Sequence, residues 1–225
     1  MSSLERNLSR VRGRIADACR KAGRKDEVTL VAVTKTVDEE RIRALHKLGV
    51  RDVGENRAQA GVPKAEALAG LGLRWHFIGG LQRNKVRKVL SCFQAVHALD
   101  DLGLAKQVDH VARELNWVGE VLVQVNVAGE VQKGGIAAIE AEWFVGECMK
   151  FPGFKVGGLM TMAPLDPDPE KSRPVFAGLR EIRDKLRAST GLALPHLSMG
   201  MSQDFEVAVE EGSTLVRVGT ALYEP

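Results

Sequence analysis

A lysine directly after the first strongly apolar segment could act as a nucleophile. Lys35 lies two residues past Val33, the end of a run of β-branched and apolar side chains over residues 28–33. Close to an apolar interior, desolvation disfavours the charged ammonium form and leaves the amine free to attack a carbonyl carbon. A solvated loop lysine is the commoner explanation of such a residue in isolation, so Lys35 by itself leaves both interpretations open.

Small and hydroxyl-bearing residues towards the C-terminus could bind an anion. Residues 198–202 (SMGMS) precede a helix predicted to begin near Gln203 or Asp204, and Gly219 and Thr220 follow the last predicted strand. Free N–H groups at a helix N-terminus attract phosphate, glycine lets the backbone approach it, and hydroxyls add donors. Capping serines and ordinary turn glycines explain the same pattern equally well, so both interpretations stay open.

Two further polar positions interrupt apolar strands. Arg217 lies inside the predicted strand 214–218. It could be a buried arginine paired with a carboxylate, a residue at a sheet edge, or a group that faces a bound ring. Gly54, Glu55 and Asn56 follow another strand, either as a turn with an exposed acid or as part of the same site. Neither position is decisive alone.

The elements that must position these residues alternate between strands and helices. Residues 4–19 repeat apolar side chains every three or four positions, which predicts an N-terminal helix that ends near Gly23. Eight strand-like segments follow, and each but the last precedes a helical segment. The predicted strands are 28–33, 51–54, 75–79, 93–97, 120–126, 154–160, 195–199 and 214–218. The predicted helices include 38–48, 102–115, 136–150, 175–189 and 204–211.

This alternation predicts an α/β fold with parallel strands, and eight of them favour a single (β/α)8 TIM barrel with an extra N-terminal helix. Because the sequence shows no repeat or linker, we predict one domain over residues 1–225, with residues 1–23 as a helix packed on the barrel. In such barrels, chemistry gathers at the C-terminal ends of the strands. The unusual residues fall there: Lys35, residues 54–56, His76, Phe77, Gly79, Asn126, Thr161, Met162, Ser198, Gly200, Ser202, Arg217, Gly219 and Thr220.

Composition excludes several classes of protein. The 225-residue chain has 32 Lys and Arg against 29 Asp and Glu, and a formal charge of +3 is too small to indicate nucleic-acid binding. Cys19, Cys92 and Cys148 lack disulfide or zinc spacing, the histidines lack metal-ligand spacing, and free thiols suit a reducing compartment. The sequence has neither an apolar signal segment nor the roughly 18 apolar residues of a membrane span. We therefore predict a cytoplasmic protein without metal, nucleic acid or membrane.

Taken together, the motifs resemble the pyridoxal-phosphate homeostasis protein family (the YggS/PROSC family), which is related to the N-terminal barrel of alanine racemase. The matching segments follow the family's order over nearly the whole chain. They are residues 32–36 (AVTKT), 53–57 (VGENR), 75–79 (WHFIG), 123–126 (VQVN), 158–161 (GLMT), 197–202 (LSMGMS) and 216–220 (VRVGT).

The resemblance implies that Lys35 holds pyridoxal 5′-phosphate (PLP) as a Schiff base and that Arg217 meets the pyridine nitrogen. It also implies that Asn56, Ser198, Ser202, Gly219 and Thr220 surround the cofactor. The chain departs from the family pattern at Gly80, commonly proline, and at Arg83, commonly a small hydroxyl residue. Gly134 replaces a usual Ser or Thr after Lys133, which leaves the role of that lysine open.

The same residues indicate what the cofactor would do. Arginine only donates hydrogen bonds, so a ring nitrogen facing Arg217 stays unprotonated and withdraws electrons weakly. In alanine racemase the second base is a tyrosine from a separate C-terminal domain, whereas the one tyrosine here is Tyr223, near the end of the sequence. Met162 stands where that racemase has a ring-stacking histidine.

We therefore predict a monomeric, non-enzymatic PLP-binding protein that acts in intracellular PLP homeostasis, by storage and delivery of the cofactor. Apo forms of PLP-dependent enzymes would be its transient partners. A PLP-dependent amino-acid racemase or lyase is the alternative.

Overall fold

Short apolar segments rich in Val, Leu and Ala form the strands of a parallel sheet that closes on itself. The computed structural model describes residues 1–130 and 133–224. Within these residues the sheet has nine strands. They are β1 (Thr29–Val33), β2 (Asp52–Glu55), β3 (Arg74–Phe77), β4 (Ala95–Leu99), β5 (Glu120–Asn126), β6 (Ile136–Ala137), β7 (Lys155–Met160), β8 (His196–Ser198) and β9 (Leu215–Val218).

Eight of these strands form a closed barrel. Their order is β4, β3, β2, β1, β9, β8, β7, β5, and a pairing between β4 and β5 closes the ring. The pairings are parallel, so that Ala32 of β1 lies beside Val53 of β2 on one side and Val218 of β9 on the other. In the described part of the chain, β6 pairs with β5 alone and lies outside the ring. The fold is the predicted α/β TIM barrel.

Helices surround the barrel. They are α1 (Ser3–Lys21), α2 (Glu39–Lys47), α3 (Ala58–Ala67), α4 (Val86–Leu90), α5 (Leu102–Leu115), α6 (Ala141–Cys148), α7 (Arg173–Thr190), α8 (Phe205–Glu210) and α9 (Thr220–Tyr223). Ser2 and Glu5 form a capping box that starts α1, and Asp38 caps α2 as predicted. Among the described residues, none of these helices has the length and apolar character needed to cross a membrane.

The barrel interior is partly polar. A small apolar cluster there comes from five strands and contains Val31, Ala98, Leu122, Met160 and Leu215. Because side chains alternate between the two faces of a strand, His76, Ser198 and Arg217 point into the same interior, while their neighbours join the larger core beneath the helices. Polar groups in this position need internal hydrogen-bond partners.

The N-terminal helix packs against α8 and α9, near the end of the chain. The Asn7 amide donates hydrogen bonds to the carbonyl oxygens of Leu222 (3.2 Å) and Glu224 (2.7 Å). Arg14 forms a two-pronged ion pair with Glu206 of α8, at 2.7 and 2.5 Å. These contacts hold the segment after β9, which borders the site described below.

The structure differs from the predicted elements in two places that matter for the site. The predicted helix 136–150 begins with β6, because Asp100 accepts a hydrogen bond from the Gly135 N–H (2.9 Å) and Gln124 donates to the Lys133 carbonyl (2.7 Å). These bonds hold the segment extended beside β5. The last strand is followed by a short helix, α9, that the sequence did not predict.

Candidate functional site

A cavity of about 550 Å³ opens at the C-terminal ends of the barrel strands. This volume is typical of sites for small molecules. The predicted cofactor residues in its wall are Lys35, Asn56, Ser202, Arg217, Gly219 and Thr220. The remaining wall residues include Val33, Ile78, Met162, Met201, Asp204 and Tyr223, together with Pro164, Leu165 and Asp166 from the proline-rich loop 163–169. Loops that are distant in the sequence therefore meet at one cavity.

Lys35 lies in a turn that follows β1, and its side chain is exposed where it borders the cavity. Of the two alternatives left open for Lys35, the structure agrees with the solvated loop lysine, because the turn places its side chain beyond the buried Val33. An exposed primary amine at a cavity wall is nevertheless free to reach a carbonyl compound bound there.

A buried cluster fixes the backbone immediately before Lys35. Glu55 is fully buried, so the alternative of a turn with an exposed acid is wrong. Its Oε1 accepts hydrogen bonds from the Thr34 hydroxyl (2.8 Å) and from Lys64 Nζ (2.9 Å), and Lys64 also donates to the Thr34 carbonyl (2.8 Å). Among the described residues, Glu55 Oε2 has no hydrogen-bond partner.

Asn56 continues from Glu55 into the cavity wall. The loop after β3 packs directly on it, because a Cβ atom at Gly79 would lie 2.2 Å from the Asn56 carbonyl oxygen. A residue with a side chain at position 79 would push this loop away, so the glycine is required for the close approach.

Arg217 is 4% exposed and projects from β9 into the floor of the cavity. Its Nη1 donates to Ser198 Oγ (2.6 Å) and its Nη2 donates to the Thr161 carbonyl (3.0 Å). Burial lowers the pKa of the guanidinium to about 10, while the charge of Asp204 opposes this shift, so the group stays cationic at neutral pH. Its other N–H groups are available to a ligand.

Ser198 does not line the cavity. It is buried on β8, where its hydroxyl accepts the hydrogen bond from Arg217 and also contacts His97 Nδ1 at 2.9 Å. The structure therefore separates Ser198 from the other predicted cofactor residues and places it behind Arg217.

Ser202 joins the loops that follow β8 and β9. Its Oγ accepts hydrogen bonds from the backbone N–H groups of Gly219 (3.2 Å) and Ala221 (3.3 Å). Asp204 stabilises the loop after β8, because its carboxylate accepts hydrogen bonds from the Met201 N–H (2.7 Å) and from the Ser172 hydroxyl (3.2 Å). These bonds hold the Ser202 hydroxyl at one side of the cavity.

The helices at this side are shorter than the anion-binding hypothesis assumed. The predicted helix 204–211 is the six-residue α8, and α9 has four residues. A helix with few aligned peptides has a small dipole. The capacity to bind an anion therefore depends on individual hydroxyl and N–H donors.

Gly200 allows the tight turn between β8 and Ser202. Its φ is +93°, and a Cβ atom there would lie 2.6 Å from Ala208 Cβ and 2.9 Å from Phe205 Cα. We expect Gly200→Ala to lower the free energy of unfolding by about 1–3 kcal/mol, the usual cost of such a strained residue. Urea denaturation followed by circular dichroism measures this change.

The matched control is Gly13→Ala, in the middle of α1, where a Cβ atom meets nothing within 4 Å. There the substitution should raise stability by roughly 0.5–1 kcal/mol, because alanine favours the helix. Equal effects at the two positions would contradict the proposed role of Gly200.

Tyr223 belongs to the cavity wall, which the sequence did not predict. The unpredicted α9 turns the chain back over the barrel end and brings this side chain inside. Its hydroxyl is buried without a hydrogen-bond partner among the described residues. Burial, and secondarily the charge of Glu55, raise the pKa of this phenol, so the neutral form dominates.

Other conspicuous residues lie outside the cavity wall. Lys133 donates to the Ala163 carbonyl (2.6 Å) and pairs with Glu130 (2.9 Å), and Asn126 donates to the Glu130 carbonyl (2.8 Å), so these residues connect loops. His97 is buried with hydrogen-bond partners. Over residues 1–130 and 133–224, no group of three or more His, Cys, Asp or Glu side chains could hold a metal ion.

Comparison with known proteins gives consistent results. The family model of the alanine racemase N-terminal domain matches residues 4–225. The pyridoxal phosphate homeostasis protein of Aquifex aeolicus is 46% identical over 224 residues, covering 99% of this chain and 98% of the relative. That of Pseudomonas aeruginosa is 38% identical over 224 residues, covering 99% of this chain and 96% of the relative.

Among solved structures, PipY of Synechococcus elongatus PCC7942 with PLP bound superposes with a TM-score of 0.86 at 31% identity, covering 98% of this chain and 99% of PipY. An alanine racemase of Clostridium difficile has a TM-score of 0.79 at 16% identity, and the match covers 99% of this chain but 59% of the racemase. The second comparison shows a shared fold.

Proposed function

This chain belongs to the pyridoxal phosphate homeostasis protein family, which has the barrel of the alanine racemase N-terminal domain, and on that premise we propose that it binds PLP as a Schiff base on Lys35. We propose further that it stores and delivers the cofactor within the cell. The observation that supports this most is the convergence of one amine, one guanidinium and a group of hydroxyl donors on a single cavity.

The chemistry of this donor set fits the three functional parts of PLP. The Lys35 amine suits an aldehyde, and the cationic Arg217 suits a ring nitrogen that accepts a hydrogen bond. The hydroxyl groups of Ser202 and Thr220 suit a phosphate group, and Asn56 lines the same cavity. Ser198 lies outside the cavity wall and accepts a hydrogen bond from Arg217, so its role is to support that guanidinium. When bound, PLP supplies an electrophilic carbonyl and an electron-withdrawing ring.

The same residues do not favour turnover of amino acids. Arg217 can only donate, so it leaves the ring nitrogen unprotonated and the ring a weak electron sink. Tyr223, a cavity-wall residue that could exchange a proton with a ligand, has a raised pKa and is a poor base at neutral pH. Its presence in the cavity wall is also the observation that favours the alternative, a PLP-dependent racemase or lyase.

A pair of assays on one preparation separates the two functions. We expect no α-proton exchange at an enzymatic rate when L- and D-amino acids are incubated with the PLP-loaded protein in deuterium oxide. We also expect the cofactor to reach an added apo-enzyme that requires PLP. A turnover number near the enzymatic median of about 10 s⁻¹ that disappears in Tyr223→Phe would establish the racemase alternative.

We also propose that the working form is a monomer in the cytoplasm. The resemblance to the family favours the monomer, and Cys19, Cys92 and Cys148 are free thiols, which persist in reducing compartments. Light scattering across a range of protein concentrations tests the monomer, and a mass that doubles at low micromolar concentration would contradict it.

A further inference from the structure

A chain of hydrogen bonds runs through the barrel interior and ends at Arg217. It begins at Asp52 Oδ1, which lies 2.8 Å from His76 Nε2. His76 Nδ1 lies 2.9 Å from His97 Nε2, and His97 Nδ1 lies 2.9 Å from Ser198 Oγ. Ser198 Oγ in turn accepts from Arg217 Nη1 at 2.6 Å. His76, His97 and Ser198 are each 0% exposed.

The donors in this chain have one consistent direction. Because Arg217 only donates, Ser198 Oγ is an acceptor there and its own proton goes to His97 Nδ1. His97 Nε2–H then donates to His76 Nδ1, and His76 Nε2–H donates to the Asp52 carboxylate. Both histidines are neutral in this arrangement, and every hydrogen bond has one donor and one acceptor.

The opposite direction is disfavoured. It would make Ser198 Oγ accept from both Arg217 and His97, leaving the hydroxyl proton without a partner among the described residues. It would also place an unprotonated His76 Nε2 against the Asp52 carboxylate, unless His76 became a buried cation.

The surrounding charges support neutral histidines. Burial is the largest cause that lowers the pKa of His97, and repulsion from His76, Arg217, His196 and Arg74 adds to it. Burial also lowers the pKa of His76, against the opposing effects of Asp52 and Glu120. Neutral histidines keep the hydrogen bonds between Arg217 and Asp52 in this donor-to-acceptor direction at neutral pH.

We propose that His97 and His76 are positioning residues that hold the Arg217 guanidinium against the ring nitrogen of bound PLP. The inference rests on the proposed function and adds a mechanism to it. Ser198 Oγ accepts from Arg217 while His97 holds the proton of the same hydroxyl, which fixes the orientation of Ser198. His76 in turn fixes the tautomer of His97 by accepting from its Nε2–H. Asp52 fixes the tautomer of His76, as second partners of histidine often do.

This arrangement couples the two ends of the barrel. Asp52 begins β2 and its side chain is 20% exposed, whereas Asn56, directly after the other end of the same strand, lines the cavity. A change at Asp52 should therefore reach the cofactor through the hydrogen-bond chain, without any direct contact with the ligand.

The expected pH effect has a definite sign. A guanidinium held at the ring nitrogen would disfavour a further positive charge on the bound cofactor, so it would lower the pH at which the cofactor takes up a proton. Loosening Arg217 should move the midpoint of the absorbance–pH titration to higher pH. The other titratable groups in the cavity wall, Lys35, Asp166, Asp204, Tyr223 and Glu224, are unchanged in the variants below.

The test uses the PLP-loaded full-length protein and the substitution His97→Phe. We expect borohydride still to trap one PLP per chain, while the absorbance–pH midpoint rises and PLP dissociates roughly tenfold to a hundredfold faster, as for loss of a hydrogen bond to a charged group. His97→Gln, which keeps one acceptor and one donor, should restore both values towards the parent. His110→Phe, on the exposed face of α5, is the matched control and should change neither.

Two smaller substitutions test the positioning role if His97→Phe does not fold. Ser198→Ala and Asp52→Asn should both raise the midpoint, with the smaller rise at Asp52 because Asn can still accept from His76. Unchanged midpoints and dissociation rates in the folded variants, with normal trapping of PLP, would overturn the positioning role and leave the proposed function intact. Failure of the parent protein to trap PLP would instead overturn the proposed function.

Discussion

We expect Lys35→Ala to abolish both the visible absorbance of the PLP-loaded protein and the borohydride-stable adduct. Lys35 is the exposed amine of the cavity wall, whereas the ammonium of nearby Lys64 is bonded to the Thr34 carbonyl and to Glu55. A Schiff base requires a free amine that can reach the aldehyde, and loss of that amine removes the covalent bond itself. Absorbance spectra before and after borohydride, with the stoichiometry of trapped PLP, measure the effect.

The control for this experiment is Lys25→Ala, an exposed lysine remote from the cavity wall. It should trap the same amount of PLP as the parent protein. If Lys35→Ala still forms a borohydride-stable adduct at full stoichiometry on another lysine, the assignment of Lys35 is wrong.

The second large effect concerns the phosphate group. We expect pyridoxal to bind about 10²–10⁴-fold more weakly than PLP, because loss of two charge-assisted hydrogen bonds removes roughly 3–6 kcal/mol of binding free energy. The donors are the hydroxyl groups of Ser202 and Thr220, which line the cavity. Dissociation constants from fluorescence titration of the two ligands test the prediction.

Ser202→Ala localises this contribution. This substitution should weaken the binding of PLP by about tenfold to a hundredfold. The affinity for pyridoxal should stay nearly unchanged, since only PLP has the phosphate. Ser189→Ala, at an exposed serine of α7, is the matched control. If Ser202→Ala weakened both ligands equally, the phosphate would have to bind elsewhere in the cavity.

Hydrophobic patterning predicted most of the fold. The strand 120–126 and the helix 102–115 agree with the structure at both ends, and Asp38 caps α2 as expected. Strand–helix alternation of this kind is local information, and the number of strands then favours one closed barrel. Patterning missed β6 and α9, because a side chain of Asp100 and the packing of α1 determine those segments.

The residues of the site could be predicted only in part from the sequence. Convergence of strand ends brought Lys35, Asn56, Ser202 and Arg217 together, because topology alone puts the ends of parallel strands on one face. Spacing could not show that Ser198 lies behind Arg217, because a strand's alternation and the following turn decide which serine faces the cavity.

The hydrogen bonds inside the barrel could not be predicted from the sequence for a different reason. His76 and His97 are 21 residues apart, and their contact depends on the register in which β3 pairs with β4. A sequence pattern shows which face of a strand a residue occupies, but it does not fix the register between neighbouring strands.

The most direct test of the central claim is to map the lysine that PLP modifies in the unaltered protein. The PLP-loaded protein is reduced with borohydride, digested, and analysed by mass spectrometry. We predict one phosphopyridoxyl group per chain, on the peptide that contains Lys35. A homogeneous modification of a different lysine, or no modification at saturating PLP, would contradict the proposed Schiff base on Lys35.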